Sequence, residues 1–166
     1  GSTSACRVKE ESVRIYLADL AYDTVRTNHV VPLNVGYLAA ALDARFGKEV
    51  DITLFKYPTA LEEAIRDQPP DMLGLSHYSW NTRLNEIFLE MARRLNPNTI
   101  TVMGGPNIRN DAPSIDMFLR HHDNIDYYIL FEGEDPFVDL VEALLGGERR
   151  PTPNGCATLV DDRLVY

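Results

Sequence analysis

The sequence predicts an α/β fold: a five-stranded parallel sheet wound with helices on both faces, with a small hairpin after it. Two observations carry this expectation. Short apolar segments rich in strand formers alternate with amphipathic segments of helical period along the whole chain. The third of those strands, Met72-Leu73-Gly74-Leu75-Ser76, is apolar almost throughout, as suits a central parallel strand covered on both faces.

The elements follow in order. Val13-Arg14-Ile15-Tyr16-Leu17-Ala18-Asp19 alternates and forms the first strand. A long polar connection runs from Leu20 to Val31. Pro32 then opens a helix, where its missing N–H costs nothing, with Val35, Leu38, Leu42 and Phe46 as the buried stripe and Gly47 as the stop. Val50-Asp51-Ile52-Thr53-Leu54-Phe55 is the second strand, and Thr59 caps a short helix through Ala64 and Ile65. Pro69-Pro70-Asp71 launches the third strand. Leu84, Ile87, Phe88, Met91, Ala92 and Leu95 then recur at helical spacing. Thr99-Ile100-Thr101-Val102-Met103 is the fourth strand and ends at Gly104-Gly105-Pro106. A helix around Ser114 to Leu119 leads to the fifth strand, Asp126 to Phe131. Phe137, Leu140, Val141 and Leu144 mark the last helix, closed by Gly146-Gly147, and a hairpin from Gly155 to Tyr166 turns at Asp161-Asp162. Right-handed crossovers with this element count favour strand order 2-1-3-4-5, the doubly wound arrangement of Rossmann-like (flavodoxin-like) domains.

Residues 1–12 read as a tag remnant or disordered lead, 13–147 as the domain, and 148–166 as a linker and hairpin toward a further part of a longer protein. The net charge of −9 and the scattered basic residues give no phosphate-tracking surface, so nucleic acid is not an expected partner. Arg93-Arg94 and Arg149-Arg150 lie near helix ends, where cations suit the dipole. No apolar run reaches the length of a membrane span and no signal-peptide pattern opens the chain, so no membrane partner is expected. Cys6 and Cys156 stand far apart without a second thiol near either. That excludes a disulfide framework or a Cys-x-x-Cys metal site and suits a reducing cytoplasm.

In open sheets of this kind ligands bind beyond the carboxyl ends of the strands, where strand order reverses. The candidate site residues are therefore those leaving each strand: Asp19, Leu20 and Tyr22 after the first, and Ser76, His77, Ser79 and Asn81 after the third. Gly104, Gly105 and Pro106 follow the fourth, and Glu132, Gly133 and Glu134 the fifth. The Leu20–Val31 connection is long, and long loops are often functional or simply variable. Gly104-Gly105 lets a backbone approach a ligand closely, or makes an ordinary turn. Ser76, Ser79 and Asn81 offer hydroxyl and amide groups, or cap the next helix. His77 is placed to touch a ligand or to exchange a proton. The His121-His122 pair, at a helix end, is expected to cap carbonyls. No nucleophile–base pairing and no metal-ligand spacing is visible: a binding site without catalytic apparatus of its own.

Four stretches in this order resemble the cobalamin-binding domain found upstream of the catalytic barrel in radical S-adenosylmethionine (radical SAM) proteins. They are Pro32-Leu33-Asn34-Val35-Gly36-Tyr37-Leu38-Ala39-Ala40, Pro70-Asp71-Met72-Leu73-Gly74-Leu75-Ser76, Val102-Met103-Gly104-Gly105-Pro106 and Glu132-Gly133-Glu134-Asp135-Pro136-Phe137. The resemblance implies a corrin resting on the carboxyl-end face with its nucleotide tail descending into the sheet edge. Ser76 and Ser79 would border that tail, Gly36 would admit it beside the first helix, Gly104 and Gly105 would let it pass, and Glu132-Gly133-Glu134 would line the far side. A side chain at position 105 would then fill the tail's path. It also implies a parent enzyme in which cobalt carries a methyl group or joins another radical reaction, with a [4Fe-4S] cluster and S-adenosylmethionine in the barrel.

Two departures qualify this. Mutases and cobalamin-dependent methionine synthases carry Asp-x-His-x-x-Gly after the first strand, whereas Asp19-Leu20-Ala21-Tyr22-Asp23-Thr24 has neither the His nor the Gly. That implies base-off cobalamin without a protein His on cobalt, His29 being the one alternative nearby. No Cys-x-x-x-Cys-x-x-Cys is present, so this chain alone performs no radical chemistry. A flavodoxin would want a glycine in Asp23-Thr24-Val25-Arg26-Thr27, and a phospho-acceptor receiver an Asp and a Lys where Ser76 and Glu132 stand. The rival reading is a domain that keeps the fold, has lost the cofactor and serves in substrate recognition or docking.

Overall fold

The computed structural model describes residues 11–22 and 33–166. The strands are β1 (Val13–Ala18), β2 (Val50–Phe55), β3 (Met72–Ser76), β4 (Ile100–Gly104), β5 (Tyr127–Ile129), β6 (Cys156–Val160) and β7 (Arg163–Val165). The helices are α1 (Leu33–Phe46), α2 (Pro58–Asp67), α3 (Thr82–Leu95), α4 (Ala112–His121) and α5 (Glu134–Leu145), with a 3-10 turn at Gly47–Glu49. The sheet runs β2-β1-β3-β4-β5-β6-β7. Its first five strands are parallel in the expected 2-1-3-4-5 order.

Strand periodicity divides the interior into two layers, because alternate side chains leave opposite faces of the sheet. Ile15, Leu17, Met72, Val102, Tyr127 and Ile129 pack toward α1 and α5, with Val35, Leu42, Phe46, Phe137, Leu140 and Val141. Tyr16, Ala18, Leu73, Leu75, Met103 and Tyr128 pack toward α2, α3 and α4, with Leu61, Ile65, Phe88, Leu89, Ile115 and Leu119.

The hairpin continues this sheet. β6 pairs antiparallel with β5, so that Cys156 enters the α1/α5 layer and Ala157 the opposite one, both with no exposure. Asp161 and Asp162 form its turn at φ 48° and 63°, the left-handed pair a tight right-twisted hairpin requires.

Several local expectations are corrected. α2 starts at Pro58 behind Tyr57, so Thr59 lies inside the first turn and is not the cap. α3 is rotated from its expected stripe: Ile87 and Leu95 are exposed, and Asn85 and Leu89 are buried instead. The polar Asn85 is drawn inward because its amide bonds the Ser76 carbonyl at 2.9 Å. β5 is only three residues long, since Leu130 turns its N–H to the Gly155 carbonyl and Phe131 adopts φ 59°. His122 pairs with Glu86 at 2.6 Å rather than capping carbonyls. No helix among the described residues is long and apolar enough to cross a membrane.

Candidate functional site

The same alternation that fills the α1/α5 layer leaves a gap at the carboxyl ends of the central strands. On β3 the positions facing α1 and α5 after Met72 are Gly74 and Ser76. On β4 the position after Val102 is Gly104, in register with Ser76. Two glycines and a serine share this face at the strand ends, where a Cβ at Gly74 would meet Leu17 Cδ2 at 2.7 Å and one at Gly104 would meet Ile129 Cβ at 3.2 Å. Beside them lies a cavity of about 150 Å³. Leu17, Val35, Leu38, Val102, Ile129 and Phe137 wall it, Gly105 and Gly133 also line it, and Asn34, Leu75, Met103, Phe131 and Glu134 complete the lining. That volume accommodates a ring system of modest size.

A polar collar closes one side of the mouth. The Asn34 amide, in the first turn of α1, donates to Ser76 Oγ at 2.9 Å and to the Tyr78 hydroxyl at 3.0 Å. The Asn34 amide also faces Asp19 and favours its charged form. Burial lifts the Asp19 carboxyl above its ordinary range, with Lys56 and the Asn34 amide pulling it back. Burial, with the Asp19 charge, likewise raises the Tyr78 phenol.

Behind β3 a second network serves the scaffold. The His77 ring turns away from the cavity into the α3/α4 layer with 1% exposure. Its Nδ1 lies 2.9 Å from the Tyr128 hydroxyl, which itself donates to the Gly105 carbonyl at 3.0 Å. A hydroxyl has one proton, so Nδ1 is the donor in this arrangement and Nε2 the acceptor. Thr82 Oγ1 at 2.9 Å and the Asn107 amide at 3.1 Å stand beside Nε2. Burial, helped by His122, holds the imidazole neutral by depressing its pKa to about 4. Asn81, fully buried, donates to the Ser76 carbonyl and accepts from the Tyr78 N–H, both at 2.9 Å.

The structure therefore sorts the candidates. Ser76, Gly104, Gly105, Gly133 and Glu134 line the cavity. Asp19 belongs to the collar through Asn34. His77 and Asn81 support the loops from behind. Leu20 is a core side chain with 1% exposure, and Tyr22, Ser79, Pro106 and Glu132 are exposed outside the cavity lining. Gly36 has open space around its Cβ position and does not line the cavity. His29 lies outside the described residues.

The reason for Gly105 is also different from the one expected. At φ +142° its Cβ would lie 2.5 Å from the His77 carbonyl oxygen, so the glycine is required by its neighbouring backbone and a side chain there breaks the loop. The better block on the cavity is Gly133. Its φ is −86°, and a Cβ would meet only Ile129 Cγ2 at 3.4 Å and Leu38 Cδ2 at 3.8 Å, both ordinary contacts.

Sequence reasoning missed Gly74, Asn34 and the apolar wall. Strand alternation, read as which glycines share a face, was the signal that could have found Gly74 beside Gly104. A larger polar groove of about 770 Å³ lies at the opposite end of the sheet. Arg93 pairs there with Asp126, and Arg120 with Asp116 and Asp162, so these charges satisfy one another.

Similarity to known proteins shows the family. The family model described as "B12 binding domain" matches residues 20–141. The chain is 31% identical over 118 residues, 67% of its length, to the 2-(S-pantetheinyl)-carbapenam-3-carboxylate methyltransferase of Streptantibioticus cattleyicolor. It is 30% identical over 122 residues, 69% of its length, to the cobalamin-dependent radical SAM methyltransferase TokK of Streptomyces tokunonensis. It spans only 16% and 17% of those two proteins. In fold it resembles the cobalamin-dependent S-adenosylmethionine radical enzyme OxsB, solved with aqua-cobalamin and S-adenosylmethionine bound. The TM-score is 0.69 at 19% identity, over 94% of this chain and 22% of that one. The match over residues 20–141, on a parallel sheet with a cavity at its carboxyl ends, places the chain in the B12-binding domain family, homologous to the domains of cobalamin-dependent radical SAM methyltransferases.

Proposed function

We propose that this chain binds cobalamin at the carboxyl ends of β1, β3, β4 and β5, with the nucleotide tail in the cavity between the sheet and helices α1 and α5. The observation that carries this reading is that Gly74, Ser76 and Gly104 share the face that α1 and α5 cover, beside a largely apolar cavity into which Ser76 brings a buried hydroxyl. The fit is good in shape and in chemistry: the lining is rich in glycine and otherwise mostly apolar, which suits a planar aromatic ring. When bound, cobalamin supplies a cobalt able to carry a methyl group. The residues of this chain hold the cofactor. Ser76 offers its hydroxyl to the tail, Gly133 and Gly104 give it room, and Asn34 and Asp19 fix the first turn of α1 beside the mouth.

The form bound is base-off without a histidine on cobalt. His77, the one imidazole that leaves a strand end among the described residues, has both ring nitrogens engaged and faces the other layer. The parent protein is a B12-dependent radical SAM enzyme, a methyltransferase by analogy with the two relatives, whose barrel would hold the [4Fe-4S] cluster and S-adenosylmethionine and dock on the carboxyl-end face. The rival, a retired scaffold kept for docking, has no observation in its favour, since the cavity is open.

Titration of the purified domain with hydroxocobalamin and methylcobalamin, followed by visible absorbance, tests this reading. Saturable binding with a base-off spectrum is expected. Absence of binding at high micromolar cofactor, in both the domain and its full-length parent, would overturn it.

A further inference from the structure

We infer that Phe131 is a lid: its ring, exposed at the mouth of the cavity, closes over what the cavity binds and slows its release. The inference rests on the cobalamin reading above and concerns how long the cofactor stays, not where it sits.

Phe131 combines two unfavourable features. It is the most exposed large apolar side chain among the described residues, at 77%. Its backbone is also left-handed, at φ 59°, where a bulky residue is an outlier. The other two non-glycine residues with positive φ among the described ones are Asp161 and Asp162, whose short polar side chains suit a turn. A glycine at 131 would relax the backbone and leave no ring in water. Packing within the domain offsets neither feature, so the ring's counterpart is a surface that arrives from outside.

The position of the ring names that surface. Phe131 already belongs to the cavity lining, with Ile129 and Gly133 on either side of it in the chain. The flanking segments are fixed. Leu130 is 2% exposed, and its N–H bonds the Gly155 carbonyl at 2.8 Å. Gly133 opens α5, and its carbonyl accepts from the Phe137 N–H at 3.0 Å. Between these anchors Phe131 and Glu132 form an exposed two-residue span. Rotation within that span carries the ring across the mouth while strand and helix stay in place. An apolar occupant then takes an aromatic face out of water. The ring is uncovered again only when the occupant leaves, so the lid acts on release and not on association.

The test is rapid mixing of methylcobalamin with the domain, read by visible absorbance and by the fluorescence of Trp80, the single tryptophan of the chain. Release is followed by capture with an excess of a tighter cobalamin-binding protein. Phe131→Ala and Phe131→Gly are expected to release the cofactor at least about tenfold faster than wild type, with association within about twofold. Phe131→Leu is expected to fall between them and wild type. Phe131→Gly is also expected to melt at or above the wild-type temperature, because glycine suits the left-handed backbone. A lower melting temperature for Phe131→Gly would show that the ring supports the fold, and would overturn the inference. Unchanged release in both variants would overturn it too, and would leave the ring to a protein surface docking on this face. Faster association with unchanged release would make the ring an obstruction and not a lid. In these three cases wild-type binding of cobalamin still stands. No binding by wild type, as domain or as full-length parent, would overturn the cobalamin reading and this inference with it.

Discussion

His77 and Gly105 form one joint between the loops that leave β3 and β4, and each can be tested alone. An unperturbed histidine titrates near 6.5, whereas folded His77 titrates near about 4 because burial disfavours its charged form. Between those values the unfolded chain holds more protons, so stability falls as pH drops from about 6.5 toward 4, by up to roughly 3 kcal/mol. Urea unfolding of wild type and His77→Gln across pH 4 to 7 isolates this contribution from the carboxylates, which titrate in both proteins. The wild type should lose more stability on acidification than the variant; parallel pH profiles would show that His77 is not held neutral. Gly105→Ala places a methyl against the His77 carbonyl in a backbone conformation that L residues avoid. It should lower stability by about 2–4 kcal/mol in denaturant titration. Gly104-Gly105 read in the sequence as a close approach to a ligand or an ordinary turn, whereas the approach at Gly105 is to the backbone of His77. That contact was not legible, because contacts across neighbouring strands depend on register.

At the scale of elements, helix stripes and strand runs were read well wherever the pattern is apolar. α1 and α5 bury the side chains their spacing foretold except Leu38 and Leu144, which are half-buried against the same layer. α3 shows where such reading fails: a polar residue sits in its buried face because the Ser76 carbonyl needs two amide donors, from Asn81 and Asn85. Periodicity of hydrophobic residues carries no information about such a bond. The hairpin is another case. Its turn was plain from Asp161-Asp162, but its pairing with β5 was not, since the Tyr127–Ile129 strand is short and the 148–155 connection reads as linker. Arg120 ties α4 to that turn through the Asp162 side chain and carbonyl. Truncation after Arg150 would uncover the β5 edge and remove Cys156 and Ala157 from both layers. It should lower stability by roughly 3 kcal/mol or more and blunt the cooperative unfolding seen by circular dichroism. An unchanged transition would mean that the hairpin is dispensable.

For the molecule as a whole, the sheet order followed from alternating elements and right-handed crossovers alone. The cavity did not, because it depends on which small residues share a face and on how α1 and α5 cover them. In the proposed reading, the cavity where Gly74, Ser76 and Gly104 share a face under α1 and α5 is what holds the cofactor's tail. The most direct measurement is cobalamin affinity of Gly133→Leu against wild type, with thermal unfolding of both recorded alongside. Gly133 has an ordinary backbone conformation and room for a side chain beside Ile129 and Leu38. The leucine should therefore fill the cavity and change stability by less than about 1 kcal/mol. At least a tenfold loss of affinity in a folded variant is the expected result; undiminished affinity in that folded variant would contradict the placement of the tail between the sheet and helices α1 and α5.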